Sequence, residues 1–120
     1  MNPLFINKEG SFQEIAHYDD VEFGQVSLLT INPKCSRGGH YHKVKKEWFC
    51  AIHGECEMEI INIKTKEERT VDMGGIKADL VPIMPYEYHT LINNGDEICK
   101  VIIIASVKYT IMEDDTFKEY

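Results

Sequence analysis

The chain has 120 residues, with 20 acidic against 13 basic side chains and a net charge of −7. That length suits one domain spanning residues 1–120, and 43% hydrophobic with 28% charged content is the balance of a soluble globule. An acidic surface is a poor electrostatic match for nucleic acid or an anionic membrane, and the longest apolar run, residues 101–105, is far too short to cross a bilayer. The first residues lack the basic and apolar regions of a signal peptide. Cys35, Cys50, Cys56 and Cys99 show no C-x-x-C spacing and read as reduced, mostly buried thiols. A cytoplasmic location is expected from both features. A Cys50–Cys56 bridge is conceivable, but nothing forces it.

Taken in chain order, short apolar runs recur between Gly, Pro, Asn or charged clusters. They are SFQEIA (11–16), GQVSLLTI (24–31), GHYH (39–42), EWFCAI (47–52), CEMEIINI (56–63), RTVDM (69–73), ADLVPI (78–83), EYHTLI (87–92) and CKVIIIASV (99–107). Their Val, Ile, Phe, Tyr and Thr content, and a spacing of about ten residues, predict an all-β sandwich or barrel. IHGE (52–55) reads as a tight turn between strands, and NNGDE (93–97) as a hairpin turn. The polar end, residues 112–120, is expected as a short helix or an edge extension.

Residues two apart on a strand share a face. His40 and His42 therefore project together with Tyr41 opposite, and Glu47, after the charged connection KVKK, returns beside them. His89 lies on a strand far along the chain. Three imidazoles and a carboxylate make a first shell for a divalent ion: imidazole suits Zn, Fe, Ni or Cu, and the carboxylate adds tolerance for Mn or Fe. Such a set leaves open positions for water or substrate. The competing reading is of satisfied or solvent-facing histidines, since H-x-H alone is a weak signal. Arg37, before Gly38 and Gly39, offers a planar fork for phosphate oxygens. Lys43, Lys45 and Lys46 read as a solvated hairpin face. His17 and His53 read as surface, and Tyr41, Trp48, Phe49, Tyr86 and Tyr88 as packing residues.

The spacing of His40, His42, Glu47 and Gly54, followed by Pro82, Pro85, His89 and Asn93, resembles the two motifs of the cupin superfamily. The resemblance implies a double-stranded β-helix, a jelly-roll barrel, with His40, His42, Glu47 and His89 as ligands of a divalent metal (Zn, Mn, Fe or Ni). Two motif glycines are replaced, by Lys34 and in the neighbourhood of Tyr86. The segments EGSFQEI, FGQVSLL and RGGHYH narrow the match to the sugar-nucleotide branch. They resemble the dTDP-4-dehydrorhamnose 3,5-epimerases, the dTDP-sugar 3,4-ketoisomerases and, most fully, the carboxy-terminal cupin domain of capsular UDP-sugar epimerase/reductases. This implies a homodimeric epimerase or isomerase of a nucleotide-linked 4-keto sugar in surface polysaccharide synthesis, with Arg37 and Glu14 as substrate contacts. It also places His40 in two roles, metal ligand and catalytic base, and the sequence does not choose between them. A 3,4-ketoisomerase, a non-catalytic sugar- or metal-binding cupin and an Fe(II)-dependent dioxygenase stand as alternatives.

Overall fold

A computed structural model describes residues 4–76, 78–106 and 115–118. Among these residues there are ten strands: β1 (Leu4–Asn7), β2 (Gly10–Gln13), β3 (Gln25–Ile31), β4 (Ser36–His40), β5 (Glu47–His53), β6 (Glu55–Asn62), β7 (Glu68–Gly74), β8 (Val81–Ile83), β9 (Glu87–Ile92) and β10 (Cys99–Ala105). Each apolar run read from the sequence coincides with a strand, apart from boundaries that shift by a few residues. β1 is an addition: LFIN is too short and too exposed to mark itself as a strand. It forms a hairpin with β2, closed by Asn7, whose side-chain oxygen accepts from the Glu9 and Gly10 amides at 3.0 and 3.2 Å.

The remaining eight strands make two antiparallel sheets in the orders β3-β10-β5-β8 and β4-β9-β6-β7. This is the order of a jelly roll, in which successive strands, the β6–β7 hairpin apart, cross from one sheet to the other. Alternation then decides what each sheet contributes to the interior. Ile31, Phe49, Ala51, Val81, Ile83, Cys99 and Val101 face Cys56, Met58, Ile60, Met73 and Leu91 across one buried core.

That crossing topology overturns the hairpin expected at 93–97. β9 pairs with β4 and β6, whereas β10 pairs with β3 and β5. The loop is instead a corner between sheets, held by Asn93. This side chain is 1% exposed; its Nδ2 donates to the Ile31 and Glu97 carbonyls, and its Oδ1 accepts from the Gly95 amide. The 43–46 segment is likewise a link between sheets rather than a hairpin face: Lys43 is exposed, while Lys45 and Lys46 are half-buried. The expected turn at 52–55 is present, and Gly54 is required there. Its φ is 73°, and a Cβ would stand 2.5 Å from the Ile98 carbonyl oxygen.

Val107 and residues 112–114 and 119–120 lie outside the described residues. Within 115–118 there is no helix, and Phe117 forms an isolated antiparallel bridge with Tyr41. The edge extension is the form seen there.

Candidate metal centre

Two strand registers converge on one end of the lumen. In the first sheet, Glu47 stands level with Ala105, which is level in turn with Gln25. In the second, His40 pairs with His89 across a bulge that follows Gly38. Gly38, at φ 96°, lets β4 come so close that a Cβ would lie 2.9 Å from the His89 carbonyl oxygen. His42 follows just beyond the end of β4.

The result is a buried cluster. His42, Glu47 and His89 are 2%, 7% and 1% exposed, and His40 is half-buried. One ring nitrogen from each of His40, His42 and His89 lies within 4.8 Å of the others. Glu47 Oε1 is 2.9 Å from His42 Nε2 and 3.4 Å from His89 Nε2. These contacts meet a distance criterion but not hydrogen-bond geometry, so His42 Nε2, His89 Nε2 and Glu47 Oε1 are all buried without a hydrogen-bond partner. Three orphaned polar atoms facing one point in a dry interior are costly.

The outer nitrogens explain what the inner ones offer. His42 Nδ1 is 2.6 Å from the Asp115 carbonyl oxygen, and His89 Nδ1 is 2.9 Å from that of Glu87. A carbonyl only accepts, so each Nδ1 carries the proton and donates. In the neutral ring each Nε2 then points a lone pair at the carboxylate, an arrangement that a cation between them reconciles. Metal-bound histidines are held in this way, with the far N–H on a carbonyl. The two Glu47 contacts suit adjacent ligands, which lie about 3.0–3.5 Å apart in a tetrahedral or octahedral site with bonds of about 2.1 Å; the group of donors close enough to share an ion is His40, His42 and His89, without Glu47.

Charge follows geometry. Burial pushes the Glu47 carboxyl up; positive charge at the Nε2 positions of His42 and His89, as protons or as a bound ion, more than offsets it and holds the group well below the ordinary carboxylate range. Burial, and then the neighbouring His89 and His42, lower His40 to about 4. At neutral pH the site thus holds a carboxylate and a neutral His40, the forms a metal takes up. Lys45 Nζ, mostly buried, lies 3.8 Å from Glu47 Oε2 and balances the carboxylate from its other side. Phe49 closes the floor, its ring edge-on to His89 at 5.5 Å.

The other expected residues fall into place unevenly. Arg37 is exposed and stands level with Leu91, on the face of β9 that also carries His89, so it shares the lumen side with the donors. Glu14 is exposed and 3.8 Å from His17. His17 and His53 are on the surface, and Trp48 and Phe49 are buried. A cavity of about 490 Å³ near Gln13, Trp48, Arg69 and Pro82 contains none of the histidines. Sequence reasoning missed Asp115 and Lys45 as neighbours of the site. Asp115 contacts residues about seventy positions away, and the acidic stretch around it gave no local signal of that contact.

Comparison with known proteins gives one family match: the model of the polysaccharide biosynthesis C-terminal domain covers residues 6–117. A UDP-2-acetamido-2,6-beta-L-arabino-hexul-4-ose reductase of Pseudomonas aeruginosa is 31% identical over 115 residues, which is 96% of this chain and 30% of the reductase. Among solved structures, the capsular polysaccharide assembling protein CapF from Staphylococcus aureus superposes with a TM-score of 0.75 at 24% identity, over 98% of this chain and 34% of CapF. QdtA, a sugar 3,4-ketoisomerase from Thermoanaerobacterium thermosaccharolyticum in complex with TDP, superposes at 0.80 with 20% identity, over 99% of this chain and 85% of its own. The chain thus spans about a third of the length of the reductase and of CapF. No helix among the described residues is long and apolar enough to cross a membrane.

Proposed function

Since this chain belongs to the family of polysaccharide biosynthesis C-terminal domains, in the sugar-nucleotide branch of the cupins, we propose that it is a metal-dependent epimerase or isomerase of a nucleotide-linked 4-keto sugar. The observation that carries this reading is the convergence of His42 Nε2, His89 Nε2 and Glu47 Oε1, all buried and unpartnered, beside His40. In this reading His40, His42, Glu47 and His89 hold a divalent ion. Bound there, the ion supplies Lewis-acid polarisation of a ketone oxygen, which acidifies the neighbouring C–H.

The protein's own residues do the remaining work. Arg37, on the lumen face of an edge strand, takes the diphosphate through its guanidinium fork. Phe49 and the apolar rows below it keep water from the floor of the site. Glu47 holds its charge through His42 and His89. Glu14 contributes from the surface, to substrate or to a partner subunit.

His40 supports a second reading, as the base. Unlike His42 and His89, its ring has no hydrogen bond among the described residues, and it is half-buried rather than sealed. The His40→Asn variant separates the two roles. A ligand is lost together with the metal; a base is lost with the metal retained.

A homodimer is supported by the outward face of β3, where Val26 and Leu28 are 55% and 61% exposed beside Ile104 and Ile102. The test of the catalytic reading is solvent exchange. Incubated in D2O with metal and a panel of UDP- and dTDP-4-keto sugars, the protein is expected to place deuterium on a carbon adjacent to the ketone. Absence of exchange across the panel rejects it, and oxygen uptake instead would favour an oxygenase.

A further inference from the structure

Asp115 stands outside the donor set yet grips the segment that carries one of its members. Its main-chain oxygen lies 2.6 Å from His42 Nδ1. Its carboxylate accepts three successive amides: Lys43 on Oδ1 at 2.9 Å, and Val44 and Lys45 on Oδ2 at 3.1 and 2.9 Å. Two residues on, Phe117 and Tyr41 exchange backbone hydrogen bonds in both directions at 2.9 and 3.0 Å. The Phe117 ring stacks on Tyr41 at 5.4 Å and 28°, with Lys43 Nζ 4.3 Å from its centre on the aromatic face. From the other side, the Tyr86 amide donates to the His42 carbonyl at 2.7 Å, and the Tyr86 ring stacks on Tyr41.

Residues 41–45 leave β4 at His40 and cross to the opposite sheet, so no strand ladder fixes His42. The contacts just described do so instead. Three of them anchor Asp115 through its carboxylate, and the anchored residue then presents its carbonyl to the one ring nitrogen that decides which tautomer His42 adopts. A contact that only closed the edge of the sheet would need Phe117 and Tyr41; it would not need a carbonyl aimed at an imidazole.

We propose that Asp115 is a positioning residue for His42, and that residues 115–117 form a strap that sets this histidine as a metal ligand. The C-terminal segment is thereby part of the metal centre. The inference rests on the metal-binding reading above.

The test uses the full chain, with Asp115→Ala, Asp115→Asn and, as a control on the same segment, the exposed Lys118→Ala. Zn2+ affinity is measured by competition with a chromophoric chelator, and the site geometry by the visible absorption of the Co2+ form. The strap predicts about 10–100-fold weaker Zn2+ binding and an altered Co2+ spectrum for Asp115→Ala. Asp115→Asn keeps an acceptor oxygen but turns an amide donor toward a backbone N–H, and is expected to lose about tenfold. Lys118→Ala is expected to behave as the parent.

Long-range 1H–15N spectra of the metal-free proteins report the His42 tautomer: Nδ1–H in the parent, a mixture in Asp115→Ala. Parent-like affinity, Co2+ spectrum and tautomer in both Asp115 variants would overturn the proposal. If Asp115→Ala fails to fold, Asp115→Asn decides. A parent that binds no Zn2+, but whose His42 tautomer responds to Asp115, would sink the metal reading and leave the positioning role standing.

Discussion

Glu47 and His42 meet at 2.9 Å in a dry interior without forming a hydrogen bond. Lys45 balances the carboxylate from one side, and the unpartnered nitrogens of His42 and His89 on the other ask for a cation. Elemental analysis of protein purified without a polyhistidine tag is therefore expected to give about one divalent ion per chain. His42→Ala and His89→Ala should abolish it, and His17→Ala should not. Because the ion binds the folded state, chelation should lower the melting temperature; saturation at about 100 times Kd is worth about 2.7 kcal/mol. A metal-free protein of unchanged stability would refute the site.

Much of this centre was legible before the fold was known. His40 and His42 share a face because strands have a period of two, and Glu47 had to open the next strand because a charged link precedes an apolar run. His89 joined them through a motif resemblance, since register across four intervening strands cannot be read from local pattern. What stayed hidden was equally physical. Asn93 and Gly95 carry ordinary hairpin chemistry, yet the topology makes them a corner. Asp115 looks like one acid in an acidic end, and its role exists only through contact with residues 42–45.

Arg37 supplies the next expectation. It lies on the lumen side of an edge strand and touches no donor of the metal cluster, so its loss should act on substrate alone. Arg37→Ala should weaken binding of a nucleoside diphosphate by roughly 10–100-fold, with metal content unchanged, as removal of a charged partner costs about 1.5–3 kcal/mol. Arg37→Lys should recover part of this, because an ammonium keeps the charge but not the fork. Isothermal titration with UDP and TDP reads both, and unchanged affinity in Arg37→Ala would remove this residue from the site.

The thiols divide by burial. Cys50, Cys56 and Cys99 are buried, and Cys35 is exposed. Burial pushes Cys50 up to about 11 and, helped by contact with Cys99, Cys56 up to about 12; it also raises Cys99. A raised thiol pKa means less thiolate at any working pH, and thiolate is the reactive form. At pH 8 native protein should react with a thiol reagent at Cys35, and all four cysteines should react once the chain is denatured. A reductant-dependent mass change of two hydrogens would instead reveal a bridge.

The apolar face of β3 predicts assembly. Val26 and Leu28 point outward beside Ile104 and Ile102, and a second copy of the chain would cover them. Sedimentation should show a dimer for the parent and a monomer for Leu28→Glu. A monomeric parent at micromolar concentration would reject this use of the face.

Two residues share a left-handed backbone and should respond very unequally to substitution. Gly54 and Lys34 have φ of 73° and 62°. At Gly54 a Cβ would press within 2.5 Å of the Ile98 backbone oxygen, in the segment that leads into β10 beside β5, so neither atom can yield easily. At Lys34, where the family motif has glycine, the side chain already sits at the surface, with Nζ 3.6 Å from Asp96. Its strain is local, of order 1 kcal/mol, and a glycine there would relieve it while adding entropy to the unfolded chain. Gly54→Ala should thus cost roughly 2–4 kcal/mol, strain and overpacking combined, whereas Lys34→Gly should stay within about 1 kcal/mol of the parent. Urea midpoints at unchanged m-value measure both. A Gly54→Ala protein as stable as the parent would mean that the 52–55 corner is not built as described.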